Sequence, residues 1–243
     1  LRPSDEIGRT AGLRAVERLN PRRPATGSYP VIYDERVSSG LVGHFLSAIN
    51  GAAITRGSSW LKDSLGKQVL PSTCKLVENP HRLRAGASRL FDSEGLATKK
   101  REILSKGVLN GWTLDLASAR KLGMKPTANA SRNVSSNPSP TNWNIELSSP
   151  EDYCDNLLSE MGNGLLVTSL IGSTINPNTG DYSRGVSGFW VEDGQICYPV
   201  SEITIAGNLR DMLKNIILGN DAQRHLSYVV PSILVEDMTL AGS

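Results

Sequence analysis

The stretch "FWVEDGQICYPV" (residues 189–200) carries the clearest fold signal in the chain. Apolar and aromatic residues flank the dipeptide Asp193-Gly194 on both sides. Both residues of this dipeptide accept the positive φ that the two central positions of a type I′ turn require. The stretch therefore predicts a β-hairpin whose two strands continue outward into the neighbouring residues.

Further strand signals surround this hairpin. The stretch "VLNGWTLD" (108–115) places Asn110-Gly111 between apolar residues and predicts a second hairpin. Residues 30–33 and 232–242 are predicted to be strands, and strands outnumber helices in the second half of the chain. Most connections there have hairpin length. The pattern predicts an α+β fold with a large, mostly antiparallel sheet, barrel-like or sandwich-like, and several packed helices.

Four segments show helical signals. They are residues 5–19, 36–50, 149–162 and 207–220. In the third segment, Ser149 is a candidate N-cap and Gly162 a candidate C-cap. The fourth begins at Asn208, another capping residue type. The first segment is amphipathic, and the apolar side chains expected to be buried are Ile7, Ala11, Leu13, Val16 and Leu19.

Composition limits the class of protein. The 243 residues are 39% hydrophobic and suit one large domain or two small ones. Three cysteines without a close pair predict reduced thiols and a cytoplasmic location. No apolar run reaches the roughly 20 residues of a membrane-spanning helix. Residues 1–125 carry 21 Lys+Arg against 11 Asp+Glu, whereas residues 126–243 carry 5 against 13. No aromatic residues interleave with the cations, so a solvated basic surface is favoured over direct nucleic-acid binding.

The residues alone do not assemble an active site. His44 lies on the flank of the 36–50 helix, and the three histidines are scattered without the spacing of metal ligands. "GNGLLV" (162–167) lacks the third glycine of a dinucleotide-binding loop. Ser187 in "GVSGF" (185–189) lacks the Gly-x-Ser-x-Gly pattern of a nucleophile elbow. No cofactor is predicted.

Two segments are candidates for ligand contact. Residues 125–144 are rich in Asn, Ser, Thr and Pro, which fits either a solvated linker or a loop that faces a substrate. Residues 179–195 concentrate charged and aromatic side chains between glycines. This second segment fits either a structural turn or a surface for an anionic or peptide ligand.

Three stretches carry a family resemblance. They are "DERVSSGLVGHFLSAINGAAITRGSSWLKDSLGKQVLP" (34–71), "LLVTSLIGSTINPNTGDYSRGVSGFWVEDGQICYPVSEITIAGNL" (165–209) and "ILVEDMTLAG" (233–242). They resemble the C-terminal half of the PmbA/TldE family, within the TldD/PmbA proteins once called modulators of DNA gyrase. Members are about twice as long as this chain. The resemblance implies that residues 1–25 are a helix and linker from a missing N-terminal half, and that 26–243 are the C-terminal domain.

The resemblance also bears on His44. Zinc peptidases of the sibling TldD group carry His-Glu-x-x-x-His on this helix and a later Cys ligand. The corresponding positions here are Gly43, His44 and Ala48, and residues 220–238 contain no Cys. The resemblance therefore implies a chain without catalytic residues or metal. It would serve as the silent subunit of a heterodimer with a TldD-type zinc peptidase, and would shape a channel for unfolded peptides.

A silent subunit acts by positioning its substrate, and the two candidate segments supply groups for that task. The predicted substrate-facing residues are Asn129, Asn133, Asn142, Asp181, Tyr182 and Arg184. The alternative implied by the older family name is a regulatory binding protein that acts on DNA gyrase or another nucleic-acid-associated partner. A hydrolase that uses Ser187 or His44 is the least favoured reading.

Overall fold

The computed structural model describes residues 3–150 and 152–242, apart from the side chain of Ser173. The helices in this part are α1 (Ser4–Val16), α2 (Ser39–Ala48), α3 (Gly51–Arg56), α4 (Leu116–Leu122), α5 (Leu157–Met161) and α6 (Leu209–Met212). The first eight strands are β1 (Gly27–Tyr33), β2 (Lys75–Glu78), β3 (Arg101–Ser105), β4 (Val108–Leu109), β5 (Ala130–Ser131), β6 (Ser139–Pro140), β7 (Ile145–Ser148) and β8 (Tyr153–Cys154). The remaining strands are β9 (Gly164–Ile175), β10 (Asp181–Glu192), β11 (Gln195–Asn208), β12 (Ile216–Gly219), β13 (Tyr228–Val229) and β14 (Ile233–Ala241).

A closed ring of five strands forms the larger sheet. Strand β1 pairs in parallel with β9, and the antiparallel ladder β9–β10–β11–β14 returns to β1. Strands β12 and β8 extend this sheet from the first half of β14. Every strand of the ring has two neighbours, so the ring leaves few unpaired backbone groups. This arrangement confirms the predicted α+β fold and the barrel-like form of its sheet.

The hairpin predicted at residues 189–200 is confirmed. Asp193 and Gly194 have φ values of 49° and 72°, as a type I′ turn requires, and they join β10 to β11. Gly188 marks a close approach within the same sheet. A Cβ at this position would lie 1.8 Å from the backbone oxygen of Leu166 on β9, so no other residue type fits there without movement of the backbone.

Helix α2 packs between the ring and a second sheet of order β13-β7-β2-β3-β4. Its buried face includes Val42 and Phe45, which confirms a core helix within residues 36–50. These two side chains share a small apolar cavity with residues of both sheets and of the connecting segments, namely Leu70, Leu76, Leu104, Leu147, Leu213, Ile216 and Ile233. The helix is therefore fixed by apolar contacts on two sides.

The predicted burial of the first helix is wrong. Helix α1 forms where the 5–19 pattern places a helix, but none of its residues is buried. The side chains of Ile7, Leu13, Val16 and Leu19 are 55–64% exposed, and Ala11 is also exposed. Amphipathic spacing specifies which face of a helix is apolar, but it does not supply an element to cover that face. Leu1 and Arg2 of the predicted segment 1–25 lie outside the described residues.

Two further helix predictions are only partly right. Residues 207–220 form α6 and then strand β12, because Ile216, Ile217 and Leu218 pair with β14. Residues 149–162 contain strand β8 before α5, and the N-cap is Asn156, whose side chain accepts from the backbone N–H of Ser159. Glu151 lies outside the described residues.

The predicted turn at Asn110-Gly111 is also wrong. Strands β3 and β4 do form a hairpin, but its turn is Lys106-Gly107, with φ values of 48° and 71°. A Cβ on Gly107 would lie 2.2 Å from the backbone oxygen of Leu70, so the neighbouring chain requires glycine there. Asn110 instead follows β4 and donates from Nδ2 to the Glu102 carbonyl.

The cysteines form no disulfide bond in the described structure. All three cysteines are free thiols, and Cys74 is buried. Burial raises the pKa of the Cys74 thiol to about 11. Within residues 3–150 and 152–242, no helix has the length and apolar character needed to cross a membrane.

Candidate functional site

Helix α2 carries Gly43, His44 and Ala48, the three positions that the family resemblance aligns with a zinc-peptidase motif. Gly43 and His44 are half-buried, and Ala48 is buried. A Cβ on Gly43 would meet no heavy atom within 4 Å, so the helix borders open space there. The same flank therefore presents a bare backbone, one imidazole and one methyl group.

The imidazole of His44 contacts the ring of Tyr182 on β10. The ring centroids lie 5.9 Å apart with an interplanar angle of 67°, an edge-to-face arrangement. The Tyr33 hydroxyl lies 3.3 Å from the Tyr182 hydroxyl and 3.4 Å from Sδ of Met238. Burial raises the pKa of both tyrosines above the ordinary value, so both stay neutral phenols at physiological pH.

Arg184 is the charged member of this cluster. It lies two residues after Tyr182 on β10 and is half-buried. Burial, and then the charge of Arg184, lower the pKa of His44. The imidazole is therefore neutral at pH 7. The Nε atom of Arg184 and the Nε2 atom of His44 are both buried and have no hydrogen-bond partner among residues 3–150 and 152–242.

A cavity of about 180 Å³ adjoins His44. It is bounded by α2, α3, the segment after α3 and the end of β9, and its lining residues are His44, Ser47, Ala48, Ala53, Arg56, Ser58, Trp60, Ile175 and Pro177. Arg210 donates from its guanidinium to the carbonyl of Trp60 and holds this wall against α6. Among the residues that the structure describes, no carboxylate lines the cavity.

The residues at this site do not fit a zinc ion. Zinc takes four ligands, and even an open catalytic site supplies three of them from the protein. Gly43 and Ala48 carry no donor atom, which leaves His44 alone on the helix. The described part of the chain contains no cluster of three or more His, Cys, Asp or Glu side chains that could hold a metal ion.

The three predicted asparagines of segment 125–144 lie in different environments. Asn129 is fully buried and donates from Nδ2 to Oε1 of Glu78 at 2.9 Å. Asn142 donates from Nδ2 to the same oxygen at 3.2 Å. Asn129 therefore lies in an interior hydrogen-bond network, and the half-buried Asn142 joins that network. Asn133 is exposed at the tip of the segment.

The other predicted residues divide into two groups. Tyr182 and Arg184 converge with His44, whereas Asp181 is exposed and accepts from the Thr179 hydroxyl and from Nδ2 of Asn208. Asp181 therefore stabilises the turn between β9 and β10. The Ser187 hydroxyl lies 3.3 Å from the Ser201 hydroxyl, and no hydrogen bond joins it to a histidine or a carboxylate in the described residues.

Sequence reasoning missed the interior carboxylate of Glu78. This carboxylate pairs with Arg101 and accepts from Asn129, Asn142 and the backbone of Trp143. The partners lie 23 to 65 residues away along the chain. No local pattern could have indicated that they meet.

Comparison with known proteins places this geometry in a family. The profile of the PmbA/TldA metallopeptidase C-terminal domain matches residues 26–242. Metalloprotease PmbA of Escherichia coli O157:H7 is 44% identical over 243 residues, which cover 100% of this chain and 52% of that protein. The Metalloprotease PmbA homolog of Haemophilus influenzae is also 44% identical, over 98% of this chain and 51% of that protein. The chain thus spans about half the length of the curated relatives it matches.

Solved structures agree with this relationship. A crystal structure from Bacteroides thetaiotaomicron, described as a candidate modulator of DNA gyrase, has a TM-score of 0.87 and 31% identity. The match covers 97% of this chain and 52% of that one. TldE from Thermococcus kodakarensis shares the fold, with a TM-score of 0.84 and 21% identity over 98% of this chain and 55% of that one. This chain belongs to the PmbA/TldA metallopeptidase family, in which residues 26–242 match the C-terminal domain.

Proposed function

We propose that this chain is the metal-free, non-catalytic subunit of a heterodimeric TldD/TldE-type metallopeptidase that degrades or processes unfolded peptides. In this role it binds a TldD-type zinc peptidase and forms part of the wall of the substrate channel. The observation that carries the proposal is the makeup of helix α2. By the family resemblance, Gly43, His44 and Ala48 align with the two zinc ligands and the general base of a TldD-type peptidase.

The chemistry of His44 supports a role other than hydrolysis. A metallopeptidase uses its metal to polarise the peptide carbonyl and to generate a nucleophilic water. The imidazole of His44 is held against Tyr182 and has no second metal ligand beside it on α2. Binding and orientation of a substrate remain available to the site, and these contribute to catalysis by an active partner.

Relatives from both the PmbA group and the TldD group support a pairing of this chain with a TldD-type subunit. Proteins described as metalloprotease PmbA are 35–44% identical to this chain, and a Metalloprotease TldD homolog of Buchnera aphidicola is 22% identical over 251 residues. The two groups therefore share one domain. Related chains of this kind can form a pseudo-symmetric dimer through corresponding surfaces.

Reconstitution with a TldD-type peptidase tests the proposal. Peptide cleavage is measured for this chain alone, for the partner alone and for the mixture, together with the zinc content of each. We expect the mixture to cleave an unfolded peptide faster than either component does. Replacement of the general-base Glu in the partner's motif by Gln should abolish cleavage by the mixture. Zinc-dependent cleavage by this chain alone would overturn the proposal.

The regulatory reading has a separate outcome in the same experiment. Two solved structures similar to this chain are described as candidate modulators of DNA gyrase. Salt-sensitive binding of DNA by this chain, with no effect on peptide cleavage by the partner, would favour a regulatory protein instead.

A further inference from the structure

We infer that the cavity beside α2, together with Arg184, binds a carboxylate group of a peptide. The inference rests on the proposed function in one respect only, which is that the ligand is a peptide. Three observations support this site: two buried nitrogen atoms without partners, a lining that includes Arg56 and no carboxylate among the described residues, and apolar walls.

One side chain on α2 and one on β10 carry buried nitrogen atoms without partners among the described residues. Nε2 of His44 and Nε of Arg184 are shielded from solvent and make no hydrogen bond within the described part of the chain. Buried polar atoms in folded proteins are nearly always hydrogen-bonded, because an unpaired polar atom loses its interaction with water and gains nothing in return. Two such atoms on neighbouring side chains are available to hydrogen-bond a ligand.

The charge of the lining identifies the acceptor. Arg56 is exposed at the cavity, and Ser47 and Ser58 add hydroxyl groups. In the described residues, neither Arg56 nor Arg184 forms an ion pair. The nearby carboxylate of Asp181 is already held by Thr179 and Asn208. A negatively charged oxygen from a ligand fits this set, because guanidinium groups bind carboxylates with charge-assisted hydrogen bonds.

The walls select a peptide over an inorganic anion. Trp60, Ile175 and Pro177 line the cavity and offer apolar surface to a side chain beside the carboxylate. The volume of about 180 Å³ is smaller than that of pockets for drug-sized ligands, which begin near 300 Å³. The cavity is therefore sized for one residue of a peptide, and the carboxylate comes from its C-terminus or from an acidic side chain.

Three peptides distinguish these sources in a binding experiment on this chain alone. The first ends in Leu with a free carboxylate, the second is its C-terminal amide, and the third is an amide with Glu in place of Leu. The readout is the NMR spectrum of the imidazole rings, since the chain has only three histidines. Loss of one signal in His44→Ala assigns the ring. We expect the free acid to shift the His44 signal and the first amide to leave it unchanged.

Binding of the third peptide identifies a side chain as a second, or the main, source of the carboxylate. Equal binding of the free acid and both amides would overturn the proposal, and so would the absence of any shift at millimolar peptide.

Single substitutions distinguish binding at this site from a general effect of the positive charge of the chain. Removal of one charged donor should weaken binding of the free acid about tenfold in Arg184→Gln and several-fold in the exposed Arg56→Gln. Arg184→Lys keeps the charge but lacks the Nε–H group, so its affinity should lie between those of the wild type and Arg184→Gln. Arg14→Gln removes the same charge from exposed helix α1 and should have no effect. An equal loss in Arg14→Gln and Arg56→Gln would overturn the proposal.

The experiment is independent of the partner subunit. If this chain binds no carboxylate but still activates a TldD-type peptidase, the carboxylate site is wrong and the proposed function stands. If it binds the free acid but activates no partner, the site stands and the proposed function is wrong.

Discussion

Glu78 and Arg101 lie opposite each other on β2 and β3 and form an ion pair with 2.5 Å between Oε2 and Nε. The side chain of Glu78 is only 2% exposed and that of Arg101 is 15% exposed. The second carboxylate oxygen accepts from Nδ2 of Asn129, Nδ2 of Asn142 and the backbone N–H of Trp143. One interior carboxylate therefore fastens the ends of segment 125–144 to the second sheet.

Removal of this carboxylate should strongly destabilise the protein. We expect Glu78→Ala to lower the free energy of unfolding by about 3–5 kcal/mol, because it leaves the charge of Arg101 without its carboxylate partner and removes one acceptor each from Asn129, Asn142 and the Trp143 N–H. The matched control is Glu102→Ala on the adjacent strand, whose ion pair with Lys75 also measures 2.5 Å but is 40–46% exposed. That change should cost less than about 1 kcal/mol. Urea denaturation of both variants decides the comparison, and equal losses would contradict it.

Helix α2 should depend on its apolar face and not on His44. The ring of Phe45 is 2% exposed in the core, so Phe45→Ala should lower the free energy of unfolding by about 3–5 kcal/mol. His44 contributes an edge-to-face contact with Tyr182, worth about 0.5–1.5 kcal/mol, and its Nε2 has no partner to lose. Urea denaturation measures both. A loss in His44→Ala as large as in Phe45→Ala would show that His44 has a structural role that these contacts do not explain.

The titration of His44 should report its surroundings. Burial and the charge of Arg184 hold its pKa below the ordinary value near 6.5. The unfolded chain therefore binds this proton more tightly than the folded protein, and His44 reduces stability as the pH falls below about 6.5. NMR titration of the ring should give a higher pKa in Arg184→Gln than in the wild type. Arg14→Gln is the control, and a pKa of His44 unchanged by Arg184→Gln would contradict the assigned cause.

Glu35 should have the opposite effect on the dependence of stability on pH. Burial, and then the neighbouring Asp34, raise the pKa of Glu35 to about 7. The folded protein therefore binds this proton more tightly than the unfolded chain. The contribution of Glu35 is fully present below about pH 4.5 and is lost as the pH rises through 7. Relative to the wild type, Glu35→Gln should gain stability between pH 5 and pH 8. A difference that stays constant over this range would contradict the prediction.

Local signals in the sequence predicted the parts of the fold that local geometry determines. Asp193-Gly194 forms the predicted turn because both residues accept positive φ without help from distant contacts. Asn110-Gly111 carries the same signal but is not used. The turn falls at Lys106-Gly107, where the backbone of Leu70 approaches too closely for a Cβ. That approach depends on a segment more than thirty residues earlier, which a local pattern does not describe.

Residues 207–220 show a second limit of the same kind. The run Ile216, Ile217 and Leu218 suits either a helix or a strand, and its pairing with β14 determines that it is a strand.

The candidate site also depends on contacts between residues far apart in the sequence. His44 on α2 meets Tyr182 and Arg184 on β10 across about 140 residues, so the barrel topology creates the cluster. The sequence indicates His44, Tyr182 and Arg184 as candidates in separate segments, but only the fold brings them together.

The metal content of this chain should differ from that of a TldD-type peptidase. Helix α2 offers the imidazole of His44 where a zinc site would need at least three ligands, and Gly43 and Ala48 supply none. We expect less than about 0.1 zinc per chain after purification without chelators, as measured by elemental analysis. A bound structural metal would stabilise the folded state, and EDTA would then lower the urea denaturation midpoint. Because we expect no bound metal, EDTA should leave the midpoint of this chain unchanged.

Two variants make this last test sharper. Gly43→His places a second imidazole on the helix beside open space, and Gly43→His combined with Ala48→His supplies ligands on both sides of His44. Neither supplies the ligand that lies outside the helix, so we expect both to bind zinc more weakly than a TldD-type peptidase. The wild type should gain no zinc in parallel dialysis. About one zinc per wild-type chain, lost on His44→Ala, would show that donors from outside α2 complete a metal site and that the chain is not silent.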